Sequence, residues 1–291
     1  MDIIISTIFQ GLIYSVLGMG VFIAFRILNF ADMTAEGSFT LGGSICAVMI
    51  LHGVHPAISI VVAGLFGTLA GFFTGFLNTK LKIQGILSGI LVMISLYSVN
   101  LRIMRKANLS ILGKETIFKF NGSSNITNFI FGICICGFLI LILWLFFKTR
   151  LGLTIKATGD NEQMAKSLEV NTDFSKIFAL MISSFLCALS GALVVENQGY
   201  SDVNMGVGVI VIALSSIVIG EAIVKKDSII SKLIGVVLGT ICYKFMIYFV
   251  LRMGMNPGDL KFFTALIAAV LLGLPNIQKN FKGVKNKNVE A

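Results

Sequence analysis

From Gly37 to Thr79 the chain carries no Asp, Glu, Lys or Arg. That run is about twice what one membrane span needs, and His52, Gly53, His55 and Pro56 interrupt it near the middle. Lipid cannot hydrogen-bond an exposed backbone, so such runs read as helices, which satisfy their own N–H and C=O groups. Further uncharged runs are Ile3–Phe25, Ile83–Leu101, Phe120–Phe147, Ile177–Val195, Val203–Gly220, Leu233–Tyr243 and Phe262–Gln278. Together they predict an all-α polytopic membrane protein of about nine transmembrane helices, at 3–25, 37–51, 57–79, 84–102, 128–147, 175–195, 205–224, 229–250 and 260–277. The 37–51 span is short, and 205–224 could be a half-membrane segment. Charged residues make up 13% of the 291-residue chain, against about 25% in soluble domains, so an ordinary water-soluble enzyme is excluded. Only Asp2 stands before the first run, unlike the basic start of a cleaved signal, so the first span is expected to be retained.

Lys and Arg set an expected orientation. The connection Lys148–Lys176 holds Lys148, Arg150, Lys156, Lys166 and Lys176, and the tail adds Lys279, Lys282, Lys285 and Lys287. Placing both in the cytoplasm satisfies the positive-inside rule and puts the N-terminus outside and the C-terminus inside. Arg102, Arg105 and Lys106 run against it. No basic stripe is interleaved with exposed aromatics, so the net charge of +9 calls for no nucleic-acid partner. Cys46, Cys134, Cys136, Cys187 and Cys242 all fall in apolar runs and read as small hydrophobic fillers. His52 and His55 have no further ligands nearby for a metal. Neither a catalytic set nor a cofactor site is expected.

Two polar breaks resemble each other. Asn29-Phe30-Ala31-Asp32 leads to Gly37 and an apolar helix, and Asn197-Gln198-Gly199-Tyr200-Ser201-Asp202 leads to Gly206 and another. The orientation places them on opposite sides, the pattern of an inverted internal repeat; interrupted helices at matching positions mark a transport path. The candidate path residues are Asn29, Phe30, Asp32, Thr34 and Ser38 at the first break and Asn197, Tyr200, Asp202 and Asn204 at the second. Asp32 as an N-cap and Glu36 in the first turn would suit the following helix's own dipole. The basic connection carries a second candidate. Asp160 or Asn161 can cap a short helix in which Met164, Ala165 and Leu168 share an apolar face, able to lie on the membrane or dock in a partner's groove. Lys244, inside a span, is expected to snorkel outward.

The strings Arg26-Ile27-Leu28-Asn29-Phe30-Ala31-Asp32, Ala157-Thr158-Gly159-Asp160-Asn161 followed by Met164-Ala165, Ser190-Gly191-Ala192-Leu193 and the small-residue stretch Ala213–Glu221 resemble the membrane permease subunits of bacterial ABC importers. The resemblance is to the branched-chain amino acid and ribose-type superfamily. The wording Asp32-Met33-Thr34-Ala35-Glu36-Gly37-Ser38-Phe39-Thr40-Leu41 is similar to permeases for tryptophan or tyrosine. The resemblance implies a fold like the vitamin B12-type importer permease, short of one N-terminal span. It also implies a homodimer around a central path in the bacterial inner membrane, an ATPase subunit below and an extracytoplasmic solute-binding lipoprotein above. Gly159, Asp160, Asn161, Glu162, Met164, Ala165 and Leu168 would then form the coupling helix.

The expected organisation is one transmembrane permease domain over 1–291: a first repeat at 3–102, a linking span at 128–147, a cytoplasmic coupling loop at 148–174, a second repeat at 175–277 and a basic tail at 278–291. No G-x-x-x-x-G-K-[ST] occurs, so ATP hydrolysis is assigned to another polypeptide. The rival is an ion-coupled secondary transporter, which needs ion ligands near the membrane midplane. An intramembrane enzyme is disfavoured, since no H-E-x-x-H or G-x-S-x-G is present.

Overall fold

The structure, a computed structural model, describes residues 2–118, 125–224 and 226–253, with isolated helical positions at 262, 265, 266, 269 and 270. α1 (Asp2–Phe22) runs into one π-helical turn (Ile23–Ile27), where the N–H of Leu28 reaches the carbonyl of Ile23 at 2.9 Å. Asn29 then takes the left-handed conformation (φ 54°), which Asn tolerates better than most residues, and turns the chain into α2 (Thr34–Leu51). α3 (Pro56–Thr79) starts with Pro in its first turn, where the missing N–H costs nothing, and with His55 Nδ1 accepting from Ala57 N–H. So one of the two histidines is a helix cap. α4 (Gly85–Met104) leads to β1 (Asn108–Ser110), followed by α5 (Asn125–Lys148), α6 (Arg150–Asp160), α7 (Glu162–Ser167), α8 (Thr172–Gln198), β2 (Tyr200–Asp202), α9 (Val209–Ile223) and α10 (Ile229–Arg252).

Among the described residues, seven helices are long and apolar enough to cross a membrane, in place of the nine expected spans. The 37–51 span begins earlier, at Thr34, and reaches 18 residues. The 205–224 span becomes α9, whose 15 residues rise only about 22 Å against a hydrocarbon core of about 30 Å. α9 is therefore shorter than a full span, in the direction of the half-membrane alternative. The expected span at 260–277 and the tail at 278–291 fall outside the described residues, apart from isolated helical positions.

The core lies around α8, which packs on α1, α2 and α3. In the most apolar window of both α1 and α2, 78% of residues are buried, against 22% in α4 and α5, so α4 and α5 face outward. Small residues let α3 and α8 touch backbone to backbone. A Cβ at Gly67 would sit 2.5 Å from that of Ala188, and one at Gly75 would sit 2.8 Å from Ile177 Cα. Gly239 of α10 lies against the Ser216 carbonyl of α9 in the same way. Ser183 and Ser190 of α8 donate to the carbonyls of Gly20 (2.8 Å) and Ile13 (2.9 Å) in α1. Cross-helix bonds of this kind contribute about 0.6 kcal/mol each. Cys46, Cys136 and Cys187 are buried and free, as fillers should be, whereas Cys134 is exposed and Cys242 half-buried.

The two ends of the bundle differ. At one end α6 and α7 sit with the ion pairs Arg26–Glu221, Lys80–Asp173 (3.6 Å) and Lys232–Asp227 (3.3 Å). At the other, β1 and β2 pair antiparallel, Asn108 opposite Asp202 and Ser110 opposite Tyr200. The first is called the basic end below, the second the strand end.

Candidate functional site: the meeting of two broken helices

Both breaks use the same local chemistry. Asp32 Oδ1 accepts the N–H of Thr34 at 2.8 Å, and Asp202 Oδ1 accepts the N–H of Asn204 at 2.7 Å. Each aspartate thereby turns the chain just ahead of a new helix, as short acceptor side chains do. The expected path residues do not converge. Asp32, Thr34 and Ser38 are fully buried where α2 meets α3, with Thr34 Oγ1 2.6 Å from Thr74 Oγ1. Asn29 is exposed and Phe30 lies half-buried, its ring against Gly85. Asn197 and Asp202 are half-buried and Tyr200 and Asn204 exposed, grouped around the strand end.

Glu36 joins the two breaks instead. It stands in the first turn of α2, as expected, and also serves the other helix: its Oε1 accepts the N–H of Gly208 at 2.9 Å. Gly208 is the N-cap of α9, has φ 86° and supplies no side chain, so an acceptor must come from elsewhere. A carboxylate there also meets the positive end of the α9 dipole. Gly206, against the Glu36 carbonyl, allows this approach. Arg26 pairs with Glu221 at the basic end.

Beside Glu36, α4 places Tyr97 and Asn100 on the wall of a cavity shared with α2 and the 203–207 turn. Sequence reasoning missed both, although Asn100 is a polar residue inside an apolar span and stands one helical turn from Tyr97. It also missed Glu196, fully buried in α8, whose Oε2 accepts the N–H of Ile117 at 2.9 Å. Lys244 does not snorkel. Lys244 is half-buried, and its ammonium lies 3.3 Å from the centroid of the Tyr14 ring, a cation–π contact.

At the basic end the expected short helix forms as α7, and a further helix, α6, which holds Gly159 and Asp160, precedes it and ends at Asn161. Asn161 Oδ1 accepts the N–H of Met164 at 3.0 Å and so caps α7. Glu162 holds Lys176 (2.6 Å) and Lys166 (2.9 Å). Those bonds hold its carboxyl below the usual range and raise the Lys166 ammonium. The shared apolar face is not observed. Ala165 is fully buried, while Met164 and Leu168 are 56% and 65% exposed. Gly159 sits against the Ile27 carbonyl, so α6 rests on the π turn that ends α1. Asp160 is exposed and shares a charged cleft with Arg26, Lys156 and Glu221.

Seven membrane-length helices among the described residues, with two chain breaks joined by Glu36, define a polytopic helical membrane protein. The chain belongs to the branched-chain amino acid transport system permease component family, whose profile matches residues 3–275. It is 43% identical over 286 residues to the tyrosine transport system permease protein of Clostridioides difficile (strain R20291), covering 98% of this chain and 96% of that one. It is 31% identical over 212 residues to the autoinducer 2 import system permease protein LsrC of Yersinia pestis (strain Pestoides F), covering 70% and 57%. The fold is similar to PsaBC from Streptococcus pneumoniae in complex with Fab, with a TM-score of 0.52 at 14% identity, covering 92% and 88%.

Proposed function

We propose that this chain is the permease subunit of an ATP-driven importer of an amino acid, with aromatic amino acids as the first candidates. The near full-length similarity to a tyrosine transport permease carries the reading. In it the basic end faces the cytoplasm, the strand end faces outward, and a binding lipoprotein delivers solute there. Two copies of the permease enclose the path. With the expected span at 260–277, the chain has eight full spans and the shorter α9, arranged as an inverted repeat like that of the vitamin B12-type permeases. Asp32 and Asp202, making the same turn ahead of α2 and α9, support that symmetry. The exposed Met164 and Leu168 on α7 suit a groove on a separate ATPase.

The test is uptake of labelled L-tyrosine into proteoliposomes holding the permease, its ATPase and its lipoprotein. The expected result is uptake that requires ATP and stops with vanadate. Uptake without nucleotide, driven by a proton or sodium gradient, would instead establish the ion-coupled secondary transporter. The buried carboxylates Asp32 and Glu196 are what that rival would use.

A further inference from the structure

We propose that the cavity between α2, α4 and the 203–207 turn is a solute subsite that recognises a primary ammonium group attached to an apolar or aromatic body. The inference deepens the amino-acid reading above and rests on it for the choice of probes.

The cavity measures about 390 Å³, within the range of sites for small ligands. Its depth follows from α4: Ile94, Tyr97 and Asn100 lie roughly 14 to 23 Å along that helix from its start at Gly85, in its middle and outer part. It also sits where α9 begins after a break, the position at which discontinuous helices leave backbone and side-chain groups for a cargo. Two oxygen acceptors define its chemistry. Glu36 is held in place by the α9 N-terminus through Gly208, which fixes one carboxylate oxygen. Asn100 is 1% exposed. Its Nδ2 points to the Gly37 carbonyl at 3.5 Å, which leaves Oδ1 as a buried acceptor without a partner. That oxygen is free of protein donors and can accept from a donor that enters the cavity.

An ammonium brings three donors and a positive charge, matching one carboxylate and one amide oxygen. A carboxylate or phosphate has no complement here, since no Lys, Arg or His lines the cavity among the described residues and Glu36 already occupies the helix terminus. Around these acceptors the wall is Tyr97, Ile94, Val203 and Val207, surfaces for an apolar or aromatic body.

Direct binding to the full chain in lipid nanodiscs, without ATPase or lipoprotein, tests this by saturation-transfer NMR. The probes are tyramine, which keeps the ammonium and lacks the carboxylate, and 3-(4-hydroxyphenyl)propionate, which has the reverse. Tyramine is expected to bind wild type and to weaken at least tenfold in Glu36→Gln, which keeps an acceptor for Gly208. Asn100→Leu is expected to weaken it severalfold, and the propionate to bind at least tenfold more weakly than tyramine. Equal binding of the two probes, no binding of tyramine to wild type, or unchanged binding to a Glu36→Gln variant with wild-type thermal unfolding would each overturn the subsite. No nucleotide enters this measurement. A failure here leaves the uptake test standing, and a failure of ATP-driven uptake leaves the subsite standing.

Discussion

Gly159 shows how a single missing side chain ties two parts of the molecule together. A Cβ there would run into the carbonyl of Ile27, a backbone atom that cannot swing aside. Gly159→Ala must push α6 off the π turn, and overpacking of this kind costs about 1–3 kcal/mol. The expected outcome is a lower unfolding temperature for the purified permease and weaker solute-stimulated ATP hydrolysis in the assembled complex. Unchanged values in both assays would mean that α6 and the π turn move independently. Sequence alone marked Gly159 as part of a loop signal but not its contact, because Ile27 is more than a hundred residues away in the chain. Glu36 teaches the same lesson. As an acid in a first turn it reads as a helper of its own helix, yet its partner is Gly208, 172 positions on.

Among the elements, α7 is the one proposed above to meet the ATPase. Ala165 faces the bundle while Met164 and Leu168 project outward four residues apart on one face. Met164→Glu and Leu168→Glu are expected to abolish co-purification of the ATPase while leaving the permease monodisperse in detergent. Ala165→Glu is expected to loosen α7 itself and make the 148–171 segment sensitive to protease. The Glu162 pairs make the stability of this segment depend on pH. Its carboxyl is depressed by Lys176 and Lys166, so the stabilisation is full above the ordinary Glu range, near 4.5, and is lost as pH falls through the lower folded value. Protease sensitivity of the segment should therefore rise in that acidic window in wild type and be present at neutral pH in Glu162→Gln. The pair is part-exposed, so the change is modest, about 1 kcal/mol or less. The long spans were legible in the sequence because lipid forces an uncharged run into a helix. The depth at which α9 starts was not, since apolarity is the same for a whole span and a half span. The face of α7 was misread because helical spacing gives neighbours, while the body it packs on decides which of them is covered.

For the whole molecule, the open question is which end faces the cytoplasm, and the charges argue it through. The basic end gathers Arg26, Lys80, Lys82, Lys148, Arg150, Lys156, Lys166, Lys176, Lys226 and Lys232 on short connections. By the positive-inside rule these ten residues favour the cytoplasmic side for the basic end, against the opposing trio Arg102, Arg105 and Lys106 near the strand end. Arg102 lies in the last turn of α4 and Arg105, with φ 56°, is the C-cap that ends the helix, so part of the trio's placement serves helix termination. A cysteine introduced at Asn108, beside β2, is therefore expected to react with a membrane-impermeant maleimide in intact cells. One introduced at Lys166 on α7 is expected to react only after the membrane is opened. Labelling is read against the wild-type chain, whose five cysteines lie in apolar helices. The reverse pattern would put the ATPase-facing surface at the strand end, where no helix like α7 stands among the described residues. It would overturn the coupling assignment together with the orientation, because a motor can act only on the side where its nucleotide is found.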